Sequence, residues 1–383
     1  MSVTAAKGFR AAGIAAGIKQ NGNPDLALVV NDGPRRAAAA VFTANRVKAA
    51  PVLWSEQVMK SGQVSAVVLN SGGANACTGP QGFQDTHATA EKAGEALGRG
   101  AIEVAVCSTG LIGVPLPMDK LLPGIGTAAA QLSEHGGEKA AIAIKTTDTV
   151  HKTSVATGDG WTVGGMAKGA GMLAPGLATM LVVITTDADT DDATLEQALR
   201  AATKVTFDRV DSDGCMSTND TVLLLSSGAS GITPEYDAFA EAVRQVCDDL
   251  GRQLIGDAEG ASKDIKVEVV GAASEADAVE VGRSIARNNL LKCALHGEDP
   301  NWGRVLSAIG TTGAVFEPDQ LNVAINGVWV CKNGSVGEDR DLVDMRYREV
   351  HIVADLAAGP ETATIWTNDL TADYVHENSA YSS

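Results

Sequence analysis

The sequence predicts an α+β fold with mixed sheets, on three observations. Short apolar runs of strand length recur between Ala-rich stretches of helical character. Asn326-Gly327, the strongest short-range hairpin signal, lies between two such runs, which argues against a purely parallel doubly wound sheet. A long helical stripe is followed closely by a segment of strict two-residue alternation.

In chain order, residues 64–69 and 103–107 are apolar runs predicted as strands, with a helix of weaker stripe over 86–97 between them. Residues 181–185 and 221–226 are strands of the same kind, separated by a helix over 193–207. Phe239, Val243, Val246, Leu250 and Leu254 recur at helical spacing, with acids, Arg244 and Arg252 on the opposite face. Ile265, Val267 and Val269 alternate with Lys266 and Glu268, the pattern of a strand with one wet face. Residues 321–324 and 328–331 flank the Asn-Gly turn, and strands are expected again at 349–354 and 363–367. His351, between Val350 and Ile352, is expected on a strand surface.

Composition narrows the function classes. The 383 residues carry 30 Lys+Arg against 47 Asp+Glu, a formal net charge of −17. That surplus of acid excludes the basic stripes needed for nucleic acid or an anionic membrane. Hydrophobic residues at 45% and charged residues at 20% describe a globular chain. No apolar run approaches the ~18 residues of a membrane span. Cys77, Cys107, Cys215, Cys247, Cys293 and Cys331 form no C-x-x-C pair and no zinc spacing with His, so no metal is expected. They read as reduced, mostly buried thiols of a cytoplasmic protein. Residues 1–22 hold Lys7, Arg10 and Lys19 and no acid, a faint transit-peptide pattern, but four glycines would break the helix it requires.

Familiar catalytic patterns are missing. There is no G-x-G-x-x-G after a strand, no Walker loop, no H-E-x-x-H and no G-x-S-x-G, and the six histidines are scattered. What remains is rich in glycine and hydroxyls. Asn70-Ser71-Gly72-Gly73-Ala74-Asn75-Ala76-Cys77-Thr78-Gly79 and Cys107-Ser108-Thr109-Gly110 each follow an expected strand, where backbone N–H groups either close a tight turn or receive an oxyanion. Residues 168–181, Lys-Gly-Ala-Gly-Met-Leu-Ala-Pro-Gly-Leu-Ala-Thr-Met-Leu, form a Gly/Pro-broken loop with one cation, ending at a Thr that opens a strand.

This last segment resembles the cleavage and nucleophile motif of the glutamate/ornithine N-acetyltransferase family. Further family signatures stand in order: residues 70–76; Cys107-Ser108-Thr109-Gly110-Leu111-Ile112-Gly113; Thr146-Thr147-Asp148-Thr149; Asp257-Ala258-Glu259-Gly260; Asp299-Pro300-Asn301-Trp302-Gly303-Arg304; and the terminal Glu377-Asn378-Ser379-Ala380-Tyr381-Ser382-Ser383. The resemblance runs from Gly8-Phe9 to Ser383. The chain departs from many relatives at Ala170, where they carry Ser, and at residues 174–177, where they carry His-Pro-Asn-Met.

The resemblance implies a layered α-β-β-α sandwich of the self-processed, N-terminal-nucleophile type. It implies cleavage at Ala178–Thr179, giving an α chain of residues 1–178 and a β chain of residues 179–383 that together build one catalytic unit, with two processed copies in an α2β2 heterotetramer. Thr179 would be the nucleophile and Thr109 with Gly110 the oxyanion hole. Thr146, Lys168, Thr179, Glu259, Asn378 and Ser383 would contact substrate. The activity implied is acetyl transfer from N2-acetylornithine to L-glutamate through an acetyl-Thr179 ester, in arginine biosynthesis. No cofactor is implied; acetyl-CoA would enter only as a second acetyl donor. The chemistry is coherent, because a Thr hydroxyl is a weak nucleophile and the freed α-amine, of ordinary pKa about 7.7–8.0, supplies a base on the same residue. Two readings compete: an N-terminal-nucleophile amidohydrolase or aminopeptidase, in which water takes the acyl group, and an uncleaved amino-acid-binding protein.

Overall fold

The computed structural model describes residues 2–174 and 180–380. The chain divides into two compact units, Met1–Asp208 with Cys215–Asp257, and Arg209–Gly214 with Ala258–Ser382.

The first unit contains β1 (Phe9–Ile14), β2 (Leu26–Asn31), β3 (Ala38–Phe42), α1 (Ala50–Val58), β4 (Ala66–Asn70), α2 (Gly79–Leu97), β5 (Val104–Ser108), α3 (Met118–Ala130), α4 (Gly137–Ala143), β6 (Lys152–Thr157), β7 (Thr162–Lys168), β8 (Leu181–Thr186), α5 (Asp192–Val205), β9 (Thr221–Ser226) and α6 (Tyr236–Gly256). The strands form two sheets, one of order β1-β2-β4-β5 and one of order β3-β9-β8-β7-β6. Parallel pairs β4/β5 and β8/β9 are buried along their whole length, which is why their sequences are continuous apolar runs and do not alternate. The two sheets share one core, in which Leu28 and Val67 of the first join Met166, Val183 and Leu223 of the second. Ala90 of α2 and Leu121 and Ile125 of α3 extend that core behind the four-stranded sheet. On the far side α6 lies against β7, with Val246 and Leu250 over Gly165. The layers are therefore α-β-β-α. Helix α1 covers the open edge of β5: Trp54 Nε1 and Ser55 Oγ donate to the carbonyls of Val104 (3.0 Å) and Val106 (2.8 Å).

The second unit contains β10 (Asp264–Ala272), α7 (Glu275–Ala286), α8 (Asn289–His296), α9 (Trp302–Ile309), β11 (Asn322–Ile325), β12 (Val328–Lys332), β13 (Ser335–Val336), β14 (Glu349–Asp355), β15 (Glu361–Asn368) and α10 (Ala372–Ala380). Its sheet has the order β13-β12-β11-β14-β10-β15, parallel only at β10/β14. Ile265, Val267 and Val269 turn inward onto Val281 and Ile285 of α7, as the alternation requires. Asn326 (φ 47°) and Gly327 (φ 86°) both take the left-handed conformation of a type I′ hairpin turn.

The five stripe residues of α6 are all fully buried. His351 lies on β14, half-buried, with Nε2 2.8 Å from Glu268 Oε2. Residues 9–14, within the stretch carrying the faint transit-peptide pattern, form a strand and not a helix, with Phe9, Ala11, Ala12 and Ile14 buried. The cysteine expectation needs correction. Cys107, Cys247 and Cys331 are buried, but Cys77, Cys215 and Cys293 are exposed. Cys77 sits in a left-handed turn (φ 56°) and Cys293 on the outer face of α8, positions that apolar character alone does not reveal. No helix among the described residues is long and apolar enough to cross a membrane.

Candidate active site

The expected nucleophile Thr179, its cleavage partner Ala178 and the terminal Ser383 lie outside the described residues. Their chain neighbours fix the frame. β7 and β8 pair antiparallel with Lys168 opposite Leu181, so residues 169–180 connect two strand ends that lie side by side. The expected cut falls in that connection, inside the first unit.

Three loops of the first unit meet at these strand ends. The 70–76 loop leaves β4 and is knotted by asparagines: Asn70 Nδ2 donates to Gly73 O (3.0 Å), and Asn75 Nδ2 donates to Gly82 O (2.8 Å) and Thr86 Oγ1 (2.9 Å). The 108–110 turn leaves β5 alongside it. Thr109 N–H donates to Asn70 O and Gly73 N–H donates to Thr109 O, both 3.0 Å. Gly110 adopts φ 131°, and a Cβ there would stand 2.7 Å from Gly73 N, so only glycine fits. Asn219, just before β9, clamps both loops by donating Nδ2 to Ala74 O (2.6 Å) and Ser108 O (2.8 Å).

Lys168 ends β7 almost wholly buried, and its Nζ donates to Thr109 Oγ1 at 3.4 Å. That bond uses a lone pair of the hydroxyl and leaves its proton available. Because the Thr109 N–H is already bound to Asn70, a developing oxyanion would meet the Thr109 hydroxyl and the Gly110 N–H, which has no hydrogen-bond partner among the described residues.

The Thr146–Thr149 loop is held by a buried charge cluster. Asp148 Oδ2 accepts the Thr146 N–H (2.9 Å), and Asp148 Oδ1 accepts the Gly169 N–H (2.7 Å) and Lys152 Nζ (2.7 Å). Lys152 also donates to Asp257 Oδ2 (2.6 Å), whose carboxylate takes the N–H and hydroxyl of Thr149. Burial by itself would push Asp148 up, but Lys168, Lys152 and the Gly169 N–H outweigh it and hold the carboxyl at about 2. Asp148 thus stays ionised and locks the Thr146 loop and the residue after Lys168 to one anchor. Beyond the connection, Met180 N–H donates to Asp220 Oδ1 at 3.2 Å, and Asp220 is fully buried.

In the second unit the structure brings together Glu259 and Asn378. Glu259 is buried, and its Oε2 accepts Asn378 Nδ2 at 3.0 Å. The tail is helix α10 as far as it is described, and Thr371 Oγ1 ties its start to Gly260 O (2.6 Å). Gly260 (φ 60°) is obligatory, since a Cβ would lie 2.2 Å from Tyr374 N. Asp299–Arg304 is structural: Asn301 Oδ1 caps α9 at Arg304 N–H (3.3 Å), and Trp302 packs on the core of this unit.

The second unit also gathers a Ser, a His and an Asp. Ser262 Oγ (3.1 Å) and Asp369 Oδ2 (2.9 Å) both meet Nδ1 of His296, and the Ser262 hydroxyl donates to that same carboxylate oxygen. A proton relay needs hydroxyl and carboxylate on opposite ring nitrogens, so this cluster is a clamp on the 262–263 turn. A polar hollow of about 570 Å3 beside Arg35, Arg36 and Asp192 shares no residue with the candidate site, and its arginines are paired with Asp189 and Glu103.

Sequence reasoning missed Asp148, Asn219 and Asp220 as site residues. Asp148 stood inside a quoted signature, but nothing local marks Asn219 and Asp220.

The model of the ArgJ family matches residues 10–383. Over the full length of both chains, this chain is 86% identical to the arginine biosynthesis bifunctional protein ArgJ of Streptomyces coelicolor. It is 64% identical over 382 residues to the protein of that name from Thermobifida fusca, again covering 100% of each. Among solved structures, ornithine acetyltransferase of Mycobacterium tuberculosis in complex with ornithine matches at 61% identity and a TM-score of 0.45, over 47% of this chain and 96% of that one.

Proposed function

Because the chain belongs to the ArgJ family, and so is an enzyme of arginine biosynthesis, we propose that it moves the acetyl group of N2-acetylornithine to L-glutamate through an ester on Thr179. The precursor cuts itself at Ala178–Thr179: the Thr179 hydroxyl attacks the Ala178 carbonyl, the acyl group shifts from nitrogen to oxygen, and water hydrolyses the ester. The α-amine so freed serves as the base for the hydroxyl. Thr179 then attacks the acetyl carbonyl, ornithine leaves, and the amine of glutamate takes the acetyl group. The Thr109 hydroxyl and the Gly110 N–H receive the oxyanion in each half-reaction. Lys168 meets a substrate carboxylate, Glu259 the ornithine amine, and Thr146, Asn378 and Ser383 complete the contacts. Acetyl-CoA serves as an alternative donor, and the processed chains assemble as a cytoplasmic α2β2 heterotetramer.

One observation carries the reading: a buried Lys168, opposite Leu181 across the 169–180 connection, is hydrogen-bonded to the hydroxyl of the Thr109-Gly110 turn. Intact-mass analysis with N-terminal sequencing tests the cut, which should yield a new terminus Thr-Met-Leu. Thr179→Ala should remain a single inactive chain. Acetyl transfer to glutamate is then assayed against plain deacetylation, and hydrolysis without transfer would replace this reading by an amidohydrolase.

A further inference from the structure

The Thr109-Gly110 turn and Lys168 belong to different sheets. β5, which leads into the turn, is the last strand of β1-β2-β4-β5, whereas Lys168 closes β7 of β3-β9-β8-β7-β6. The bond from Lys168 Nζ to Thr109 Oγ1 is 3.4 Å long, outside the range of about 2.7–3.2 Å for a well-formed N–H···O bond. A stronger tie comes from Asn219, just before β9 of the five-stranded sheet. Its side chain is buried and committed at every polar atom: Nδ2 donates to Ala74 O (2.6 Å) and Ser108 O (2.8 Å), and Oδ1 accepts the Thr218 hydroxyl (2.6 Å). Carbonyls only accept, so the NH2 end must face them and the amide has one orientation. Its backbone is held as well, the N–H donating to Ser217 Oγ (3.1 Å) and the carbonyl accepting from Thr221 Oγ1 (3.1 Å).

We propose that Asn219 is the positioning residue of the oxyanion turn, the link that holds Thr109 and Gly110 of one sheet at the Lys168 end of the other. The inference rests on the oxyanion role put forward above. The two carbonyls that Asn219 grips flank the bridge between the glycine loops. Ser108 O belongs to the peptide whose N–H, that of Thr109, donates to Asn70 O, so this peptide is pinned at both ends. Thr109 O, in the next peptide, accepts the N–H of Gly73, the residue before Ala74. A trans peptide points its carbonyl and its N–H in opposite directions, so the Gly73 bond turns the Gly110 N–H away from the 70–76 loop. Oxyanion donors work by standing in place before charge develops, and a misplacement of about 1 Å costs about 10²-fold in rate. Asn219 acts through the turn, because its amide has no N–H left to offer a ligand.

The test compares Asn219→Ala, Thr109→Ala and the double variant in steady-state acetyl transfer, with rates expressed per cleaved chain. Asn219→Ala should lower kcat by about tenfold or more with a smaller change in KM, because a displaced turn fails the transition state more than the bound substrate. In the double variant the effect of Asn219→Ala should shrink, since a donor that it positions is already gone. Wild-type kcat in Asn219→Ala beside an impaired Thr109→Ala overturns the proposal, and so do fully independent effects of the two substitutions. Wild-type kcat in Thr109→Ala would instead defeat the oxyanion reading itself, a separate outcome. Hydrogen exchange on the wild-type enzyme decides without any variant: the Thr109 and Gly73 N–H groups should be as protected as the β5 ladder, and exchange at the rate of open loops overturns the proposal.

Discussion

A hydroxyl that accepts from a lysine still has its own proton to give, and this makes Thr109 the most informative single side chain of the site. Thr109→Ala should lower kcat by about 10²–10³ with a much smaller change in KM, because the proposed oxyanion donor would act mainly on the transition state. Thr109→Ser should recover most of the rate, and equal losses in both variants would deny the hydroxyl its role. A different residue sets a pH dependence. The side chain of Asp211 is fully buried, its Oδ2 accepts Arg287 Nε at 2.7 Å, and burial pushes it up to about 6 despite Arg287 and Lys292. A carboxyl whose folded pKa is raised binds more protons folded than unfolded, so stability falls as pH rises from about 4 to about 6 and is then level. In Asp211→Asn that contribution disappears. The Tm of the variant minus that of wild type should therefore grow more positive across this window, by thermal unfolding at fixed salt; a flat difference would contradict the assignment.

Elements differ in how plainly their sequence announces them. Helix α6 was legible because five apolar residues repeat at its own period, and β10 because Ile265, Val267 and Val269 alternate with charged neighbours. Strands β6 and β7 were not: Lys152, Thr153 and Ser154, then Gly164 and Gly165, owe their state to pairing partners that no local pattern reveals. The candidate site divides the same way. Thr109, Gly110 and Lys168 lie in short signatures, while Asn219 acts on carbonyls 145 and 111 positions away. Asp148 acts through a fold that returns Gly169 to it, so its importance is topological. Helix α10 depends on such an approach. Gly260→Ala would place a methyl group against the Tyr374 backbone in a left-handed conformation, at a cost of about 1–2 kcal/mol before the clash is counted. The variant should show a lower Tm and a raised KM; unchanged values for both would mean that α10 contributes nothing to stability or to substrate affinity.

On the scale of the whole chain, the expected cut runs through a sheet and not between compact units. In the order β3-β9-β8-β7-β6, strands β3, β7 and β6 precede residue 178, and β8 and β9 follow it. Each product would therefore hold alternate parts of one hydrogen-bonded ladder: β7 to β8 on one side, β9 to β3 on the other. The 178- and 205-residue fragments should co-elute in native gel filtration and separate only in denaturant. Fragments that part in plain buffer would contradict the interleaved sheet. A ladder woven from both products also gives the molecule a history. A continuous chain assembles it as one polypeptide, and the proposed scission would erase that route. An uncut variant should regain its shape after denaturation at a rate indifferent to dilution. An enzyme cut as proposed would instead have to wait for two separate polypeptides to collide, so its recovery should slow in proportion as the solution is thinned.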